Sequence, residues 1–488
     1  MKILVIGLEG ATPELLLEDE RLTNFRCLME NGCYGRLESV IPYTTVPAWM
    51  CMATSQDPGA LGVYGLCNRI DYSYGDWRAV TSHSIQGLAI WDQVMGAGKQ
   101  VLLSGVPPSY PPWQVQGACI GCYMTPNIRQ RIYTHPPSLQ QEIAALVGEY
   151  PVDVESSCTA KQDWLKEAVY AMSSKHFAVL RHLLQQATWE YCQCVEIGLD
   201  RLQHGFWKFH DTQHVLYEAG NPYQEVIRDY YLYLDNELGN IFDVLDDETA
   251  VLVLSGHGAQ RLNGGFCINE WLMQQGLLVL NTYPHKITPY SQLDVNWDKT
   301  KVWSTGGPCP QVFFNVKGRE PRGTIAPADY EKVRDDVKAM LEATVDEQGH
   351  PLGSSVCRPE EIYRTVNHVA PDLFVNLGGL AWRALDSVGY ATIHVQANDI
   401  GADDCPDTPF GSFILAAPHS PISGEVAGVH LLDMAPTLLA LGGYEPLSAM
   451  QGQSLLARLP LDTAAPGDRA ADEEALMRER LRGLGYIA

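Results

Sequence analysis

The sequence predicts an α/β fold in which helices cover both faces of a largely parallel central sheet. Residues 2–8 and 250–254 are unbroken apolar runs, as expected for strands buried on both faces of such a sheet. Residues 14–31 and 222–246 instead repeat apolar positions at helical spacing. Each apolar run ends at a polar residue beside glycine. Ligands of open α/β sheets bind at the carboxyl ends of the strands, so these polar residues are candidates for a site.

Composition limits the class of protein. The 488 residues are 46% hydrophobic and 19% charged, which is ordinary for a globular chain with a large core. A net charge of -24 argues against a protein that coats nucleic acid. It does not exclude one that binds a small anionic substrate, because a bound metal ion can reverse the charge locally. No apolar run is long enough for a signal peptide or a membrane span. We therefore expect a cytoplasmic protein whose thirteen scattered cysteines are reduced, mostly buried thiols.

The chain reads as one large domain with insertions. Residues 1–460 carry the α/β pattern. A helical cap is expected at approximately 105–190, where a stretch rich in Pro, Gly, Tyr and Trp precedes a helical segment. A further insertion is expected at approximately 275–330. Residues 461–488 read as a linker of Ala, Pro, Asp and Glu followed by a short helical tail.

One candidate metal-ligand pair lies in the segment 198–207. Asp200 and His204 are four residues apart, so on a helix both side chains point to the same place. A carboxylate oxygen and an imidazole nitrogen at this spacing suit a zinc- or manganese-type ion. The alternative is an exposed pair that only stabilises the helix.

Further candidates follow predicted strands or begin a predicted helix. Glu9 comes directly after the first apolar run, and His257 lies three residues after the end of the second. Each also has a structural interpretation, Glu9 as a turn or helix-cap residue and His257 as a buried, hydrogen-bonded histidine. Thr44 and Thr45 lie between two prolines at the start of a helical run. A hydroxyl there suits a nucleophile, because helix amides stabilise the anion that it carries, but a threonine at this position is also a common helix cap.

Together these pieces resemble the alkaline phosphatase superfamily, and within it the branch of type I phosphodiesterases, nucleotide pyrophosphatases and related phosphohydrolases or phosphomutases. The resemblance runs nearly end to end. The matching segments are Val5-Ile-Gly-Leu-Glu-Gly10, Thr45-Val-Pro-Ala-Trp49, Asp57-Pro-Gly59, Asp200-Arg-Leu-Gln-His204, Ser255-Gly-His-Gly258, Asn269-Glu-Trp271, Ala370-Pro-Asp-Leu373 and His430-Leu-Leu-Asp-Met-Ala-Pro-Thr437. It implies an alkaline-phosphatase-like α/β fold and a metal-dependent phosphoester or phosphodiester hydrolase or phosphoryl transferase.

The resemblance also implies roles for individual residues. Thr45 matches the family nucleophile, which attacks phosphorus in line and is then released from its phosphoryl or nucleotidyl group by hydrolysis. Trp49, in the same motif, is expected to bind the substrate. The family holds two divalent ions, commonly zinc, beside the nucleophile. The predicted ligands in this chain are Glu9, Thr45, Asp200, His204, His257 and Asp407.

Three ligand positions differ from the family pattern. Glu9 replaces an aspartate, and Gly256 replaces the acid before His257 and offers no side chain to a metal. The late histidine of the family falls near Asp407, with Asp403, Asp404 and Cys405 close in sequence. With these changes, the sequence is compatible with either one or two bound metal ions. They also leave two alternatives open: the same fold adapted to another reaction of a biosynthetic pathway with a reduced metal site, or a non-catalytic homologue that binds an anion.

Overall fold

A computed structural model describes residues 1–396, 401 and 403–458. The predicted linker and C-terminal tail at 461–488 lie outside these residues. The largest sheet in the described part has ten strands. From edge to edge its main path runs Gly424–Glu425, Cys33–Glu38, Phe410–Ala416, Thr249–Leu254, Lys2–Leu8, Tyr191–Glu196, Val101–Ser104, Gly117–Ile120 and Thr134–His135, and Val429–His430 also pairs with Cys33–Glu38.

The middle of this sheet is parallel. Lys2–Leu8 pairs in parallel with Tyr191–Glu196 on one side and with Thr249–Leu254 on the other. Phe410–Ala416 is antiparallel to both of its neighbours, Cys33–Glu38 and Thr249–Leu254. The predicted α/β class with a largely parallel sheet is therefore confirmed, and the central strands end at one common edge.

Helices cover both faces of the sheet, as predicted. Alternate residues of a strand point to opposite faces, so Leu4 and Ile6 belong to one apolar core and Ile3 and Val5 to the other. The first core is closed by the helices Pro13–Leu16, Thr23–Glu30, Leu139–Val147, Gln162–Gln186, Gly198–His210 and Val226–Phe242. The second is closed by Thr45–Thr54, Pro58–Leu61, Ile90–Gly96 and Met434–Leu441.

The two predicted insertions fold differently. The segment 105–190 first adds the strands Gly117–Ile120 and Thr134–His135 to the sheet edge, and only then forms the helices Leu139–Val147 and Gln162–Gln186. Residues around 275–330 contribute to a separate apolar core whose buried members extend from Phe266 to Ala384. Its strands are Val302–Ser304, Gln311–Phe314, Ser355–Cys357 and Leu373–Asn376, and its helices include Ile268–Gln274 and Tyr330–Glu342.

Small sheets and short helices complete the described chain. They are the strands Cys67–Arg69 with Trp77–Ala79, Gly258–Ala259 with Asp407–Thr408, and Trp382–Leu385 with Gly264–Cys267 and His394–Val395, and the helix Pro359–Ile362. Within residues 1–396 and 403–458, no helix has both the length and the apolar character needed to cross a bilayer. All thirteen cysteines are free thiols, and most are buried.

Candidate metal centre

The helix Gly198–His210 begins at the carboxyl end of a central strand because a buried acid caps it. Glu196 is the last residue of the strand Tyr191–Glu196. Its carboxylate accepts hydrogen bonds from the backbone N–H groups of Gly198, at 2.8 Å, and Leu199, at 3.1 Å. An anion at this place satisfies helix amides that have no partner within the helix. Glu196 thereby sets where the first turn of the helix starts, and Asp200 lies in that turn.

Three ligand atoms from distant parts of the sequence come together over this turn. One atom each from Asp200, His204 and Asp407 lies within 4.8 Å of the other two. Asp200 Oδ1 is 3.3 Å from His204 Nε2, and Asp407 Oδ1 is 4.0 Å from the same nitrogen. Asp200 is buried, so it is not the exposed helix-stabilising residue of the alternative interpretation. One imidazole and two carboxylates meet the minimum of three protein ligands for a catalytic zinc site.

A second carboxylate orients the imidazole of His204. Asp403 Oδ1 lies 2.5 Å from His204 Nδ1, and the other oxygen of Asp403 accepts a hydrogen bond from Arg383 Nη1 at 2.8 Å. A metal-ligating histidine commonly directs its second ring nitrogen to a carboxylate, which sets the orientation and the tautomer of the ring. Asp403, which had been considered near the late ligand position, therefore lies behind His204, and Nε2 faces the other two ligands.

Asp200 is held from its other side by Arg201, which in turn contacts the segment 105–190. Its Oδ2 accepts a hydrogen bond from Arg201 Nη1 at 2.8 Å, which leaves Oδ1 facing His204. Arg201 also binds both oxygens of Asp153, at 3.0 and 2.7 Å. The ring of Tyr123 lies 5.3 Å from the Arg201 guanidinium. Asp153 and Tyr123 both belong to the segment 105–190, so this segment contacts the candidate metal ligand Asp200 through Arg201.

Asp407 reaches the site through a two-residue strand. Asp407–Thr408 pairs antiparallel with Gly258–Ala259, directly after His257. As a result Asp407 Oδ1 is 3.5 Å from His257 Nδ1. The turn before His257 is fixed by Ser255, whose hydroxyl donates to the backbone oxygen of His257 and accepts from the N–H of Ala11. The segment after the strand Lys2–Leu8 and the segment after the strand Thr249–Leu254, which carry the predicted ligands Glu9 and His257, are therefore joined by a hydrogen bond.

Glu9, His257 and Trp49 form a second group of side chains beside the first. Glu9 Oε1 lies 2.9 Å from His257 Nε2, and Glu9 Oε2 accepts a hydrogen bond from the indole N–H of Trp49. All three side chains are buried. Trp49, the predicted substrate-binding residue, is buried and donates a hydrogen bond to Glu9.

Thr45 is the first residue of the helix Thr45–Thr54, which packs through Trp49 on Gly7 and through Ala48 on Gly256. Its hydroxyl-bearing side chain is partly exposed, whereas residues 46–54 are all buried. Thr45 and Trp49 are four residues apart and therefore lie on the same side of the helix, the side that faces Glu9. Thr44 occupies the helix cap position, but its side chain makes no capping hydrogen bond and its buried hydroxyl has no partner.

Burial and neighbouring charges shift the pKa values of Asp200, Asp407 and His257. Burial alone would raise the pKa of Asp200, but the neighbouring His204 and Arg201 hold it well below its usual value. Burial raises the pKa of Asp407 despite the nearby histidines. For His257 burial is outweighed by the carboxylates of Asp407 and Glu9, which raise its pKa to about 10. Several carboxylates thus compete for two imidazoles, an environment that favours a cation.

Sequence reasoning missed the residues that support the ligands. Glu196 lies within an apolar run, although an acid two residues before Gly198 at a strand end is a recognisable helix-start signal. Arg201 follows Asp200 in the sequence, but no feature of the sequence indicates that it binds Asp200. Arg383 belongs to a distant strand, and no local signal connects it with Asp403.

A largely parallel sheet with acids and histidines gathered at its carboxyl edge is the arrangement that the resemblance to the alkaline phosphatase superfamily implies. Within that superfamily, a family model described as type I phosphodiesterase / nucleotide pyrophosphatase matches residues 3–403. The chain belongs to this family. A search of curated protein sequences found no significant match.

Solved structures show the same fold at low sequence identity. Murine ectonucleotide pyrophosphatase / phosphodiesterase 5 superposes with a TM-score of 0.52 at 13% identity, covering 93% of this chain and 98% of that chain. Phosphonoacetate hydrolase from Sinorhizobium meliloti, in complex with phosphonoformate, superposes with a TM-score of 0.58 at 14% identity, covering 90% of this chain and 95% of that chain. An inactive variant of the murine protein has been solved in complex with AMP.

Proposed function

We propose that this phosphohydrolase is a metal-dependent enzyme that cleaves a phosphoester or phosphodiester with Thr45 as its nucleophile. The observation that supports it most is the grouping of Asp200, His204 and Asp407 within 4.8 Å at the carboxyl edge of the sheet. These residues come from two segments about 200 positions apart, and Asp403 orients the histidine among them. A supported imidazole between two carboxylates has the composition of a catalytic metal site.

The ligand set bears on the choice of ion. One imidazole nitrogen and two carboxylate oxygens suit zinc and also manganese, whereas magnesium and calcium favour sites made of oxygen alone. We propose zinc as the resident ion, held by Asp200, His204 and Asp407. When bound, the ion supplies a Lewis acid that stabilises negative charge on a phosphoryl oxygen.

The position of Thr45 fits the role of nucleophile. Its side chain is partly exposed, while the rest of its helix is buried. N–H groups at the start of a helix have no partner within it, and they stabilise the negative charge of a phosphoryl group held there. The hydroxyl attacks phosphorus, loses its proton and displaces an alcohol or phosphate leaving group. Water then releases the threonine.

The substrate that we propose is a small phosphorylated molecule. The ligands named for the structural neighbours, AMP and phosphonoformate, each carry a phosphoryl or phosphonyl group on a small body. The acidic chain offers no support for a nucleic-acid polymer as substrate. A cytoplasmic location is consistent with thirteen free cysteines, because thiols stay reduced in that compartment.

The test compares two neighbouring threonine variants with bis-p-nitrophenyl phosphate as substrate, after loading with zinc. Thr45→Ala should lower kcat by about 10³-fold or more, because no other group replaces the attacking oxygen. Thr44→Val is the matched control: it removes a buried hydroxyl without a partner and should leave kcat and folding unchanged. Turnover that survives Thr45→Ala would contradict the proposal and favour the same fold adapted to another reaction.

A further inference from the structure

The family resemblance implies a second divalent ion, and its position would be set by Glu9, the residue at 256, His257 and Thr45. The surroundings of these residues differ from those of Asp200, His204 and Asp407. In the group of Asp200, His204 and Asp407, one atom of each residue lies close to those of the other two. Asp403 supports His204 through the other ring nitrogen, Nδ1. Around Glu9, in contrast, protein groups contact the same carboxylate oxygens that would have to bind the ion.

Both carboxylate oxygens of Glu9 are already engaged by the protein. Oε2 accepts the indole N–H of Trp49, and Oε1 lies 2.9 Å from His257 Nε2. The side chain of Glu9 is 1% exposed and that of His257 is 2% exposed, so water does not compete for these contacts. The other ring nitrogen of His257 lies near Gly258 O, at 3.2 Å, and Asp407 Oδ1, at 3.5 Å. An ion bound by these two atoms would have to displace the proton that they share, while Oε2 stays engaged by Trp49.

The missing acid at position 256 cannot be restored without moving a helix. A Cβ atom built on Gly256 would lie 2.8 Å from the Cβ of Ala48, a distance that real side chains essentially never show. Ala48 belongs to the buried helix Thr45–Thr54, which packs directly on this strand end. The helix can therefore pack this closely on the strand end only because residue 256 is a glycine and not an acid.

Trp49 is held in place by a complementary glycine. A Cβ atom on Gly7 would lie 2.2 Å from the Trp49 ring, so the indole rests on the bare backbone of the central strand. The ring is 1% exposed and has no room to swing away from Glu9. The N–H group of Trp49 is therefore a fixed donor at the carboxylate.

We infer that Trp49, Glu9 and His257 close the second cation position, so that the chain binds a single divalent cation at Asp200, His204 and Asp407. This inference rests on the proposed function, because it takes that group as the site of the ion. Trp49 and Glu9 then act as positioning residues: Trp49 fixes Glu9, Glu9 fixes His257, and His257 faces the ligand Asp407.

The test measures how many ions the full chain retains. Wild type, Glu9→Gln and Asp200→Asn are each saturated with Mn²⁺ alone or Zn²⁺ alone, desalted, and analysed for metal by mass spectrometry. We expect one ion per chain in wild type and in Glu9→Gln, and none in Asp200→Asn. The electron paramagnetic resonance spectrum of the Mn²⁺ form should be that of an isolated ion.

Each other outcome overturns the inference in a distinguishable way. Two ions in wild type that fall to one in Glu9→Gln, or the spectrum of an exchange-coupled Mn²⁺ pair, would refute it and leave the proposed function standing. A single ion lost from Glu9→Gln but kept by Asp200→Asn would place the ion at the other group. No ion in wild type would refute both proposals. If Glu9→Gln does not fold, His257→Gln makes the same comparison, and the spectrum of wild type needs no variant.

Discussion

Asp403 offers the sharpest test of how the candidate metal centre is built, because it supports a ligand without being counted among the three. Its Oδ1 lies 2.5 Å from His204 Nδ1 and its Oδ2 binds Arg383 at 2.8 Å. Asp403→Ala removes the acceptor, so the ring of His204 loses both its orientation and its preferred tautomer. Loss of such a support typically weakens metal binding 10- to 100-fold, which is about 1.4–2.7 kcal/mol.

Asp403→Asn separates hydrogen bonding from charge. The amide keeps an oxygen that accepts from Nδ1–H but loses the negative charge that makes the imidazole a better ligand. We expect its dissociation constant for Zn²⁺ to lie between those of wild type and Asp403→Ala. Arg383→Met is the matched control, since it leaves the carboxylate beside His204 and should weaken binding less than Asp403→Ala.

The assay is competition for Zn²⁺ against a chromophoric chelator at neutral pH. The thermal midpoint of each variant is measured with the metal removed, so that a general loss of stability is recognised separately. Binding by Asp403→Ala within about twofold of wild type, in a folded protein, would refute the view that Asp403 positions His204 for an ion. Equal losses in the alanine and asparagine variants would assign the effect to charge alone.

The remaining predictions concern packing around the second cation position. Trp49→Phe leaves a buried oxygen of Glu9 without its donor, and we expect a cost of about 1–3 kcal/mol in the free energy of unfolding by urea; a cost below about 0.5 kcal/mol would contradict the fixed hydrogen bond. Gly256→Asp should lower the thermal midpoint through overpacking of about 1–3 kcal/mol, and Ala48→Gly in the same chain should recover part of it; the absence of recovery would show that the contact is not the cause.

The general place of the site was predictable from the sequence because it follows from local patterns. Apolar runs at 2–8 and 250–254 identify buried strands, and the carboxyl ends of parallel strands meet at one edge. Helical spacing puts Asp200 and His204 on one turn. The alignment of the late histidine to Asp407 is compatible with the structure, where Asp407 lies 4.0 Å from His204 Nε2. Its role as a ligand stays a prediction.

Other expectations depended on packing and came out differently. Residues 14–31, read as one helix, form Pro13–Leu16 and Thr23–Glu30 with a break between them. The partner of Trp49 was not predictable, because an aromatic residue in a helical run has no preferred partner until the helix is docked. The same holds for Ala48, which meets Gly256 only in the folded chain.

The sequence by itself determined the fold class, the family and the edge of the sheet at which the site lies, since strand and helix periodicities and motif order are local properties of the chain. The tertiary structure alone decided which polar groups meet: Asp403 behind His204, Arg201 between Asp200 and the cap, and Trp49 on Glu9. The physical reason is the distance along the sequence over which each effect acts. Periodicity acts over a few residues, whereas each of these contacts except that of Arg201 with Asp200 joins side chains at least 40 positions apart, and their distances depend on how whole helices and loops pack.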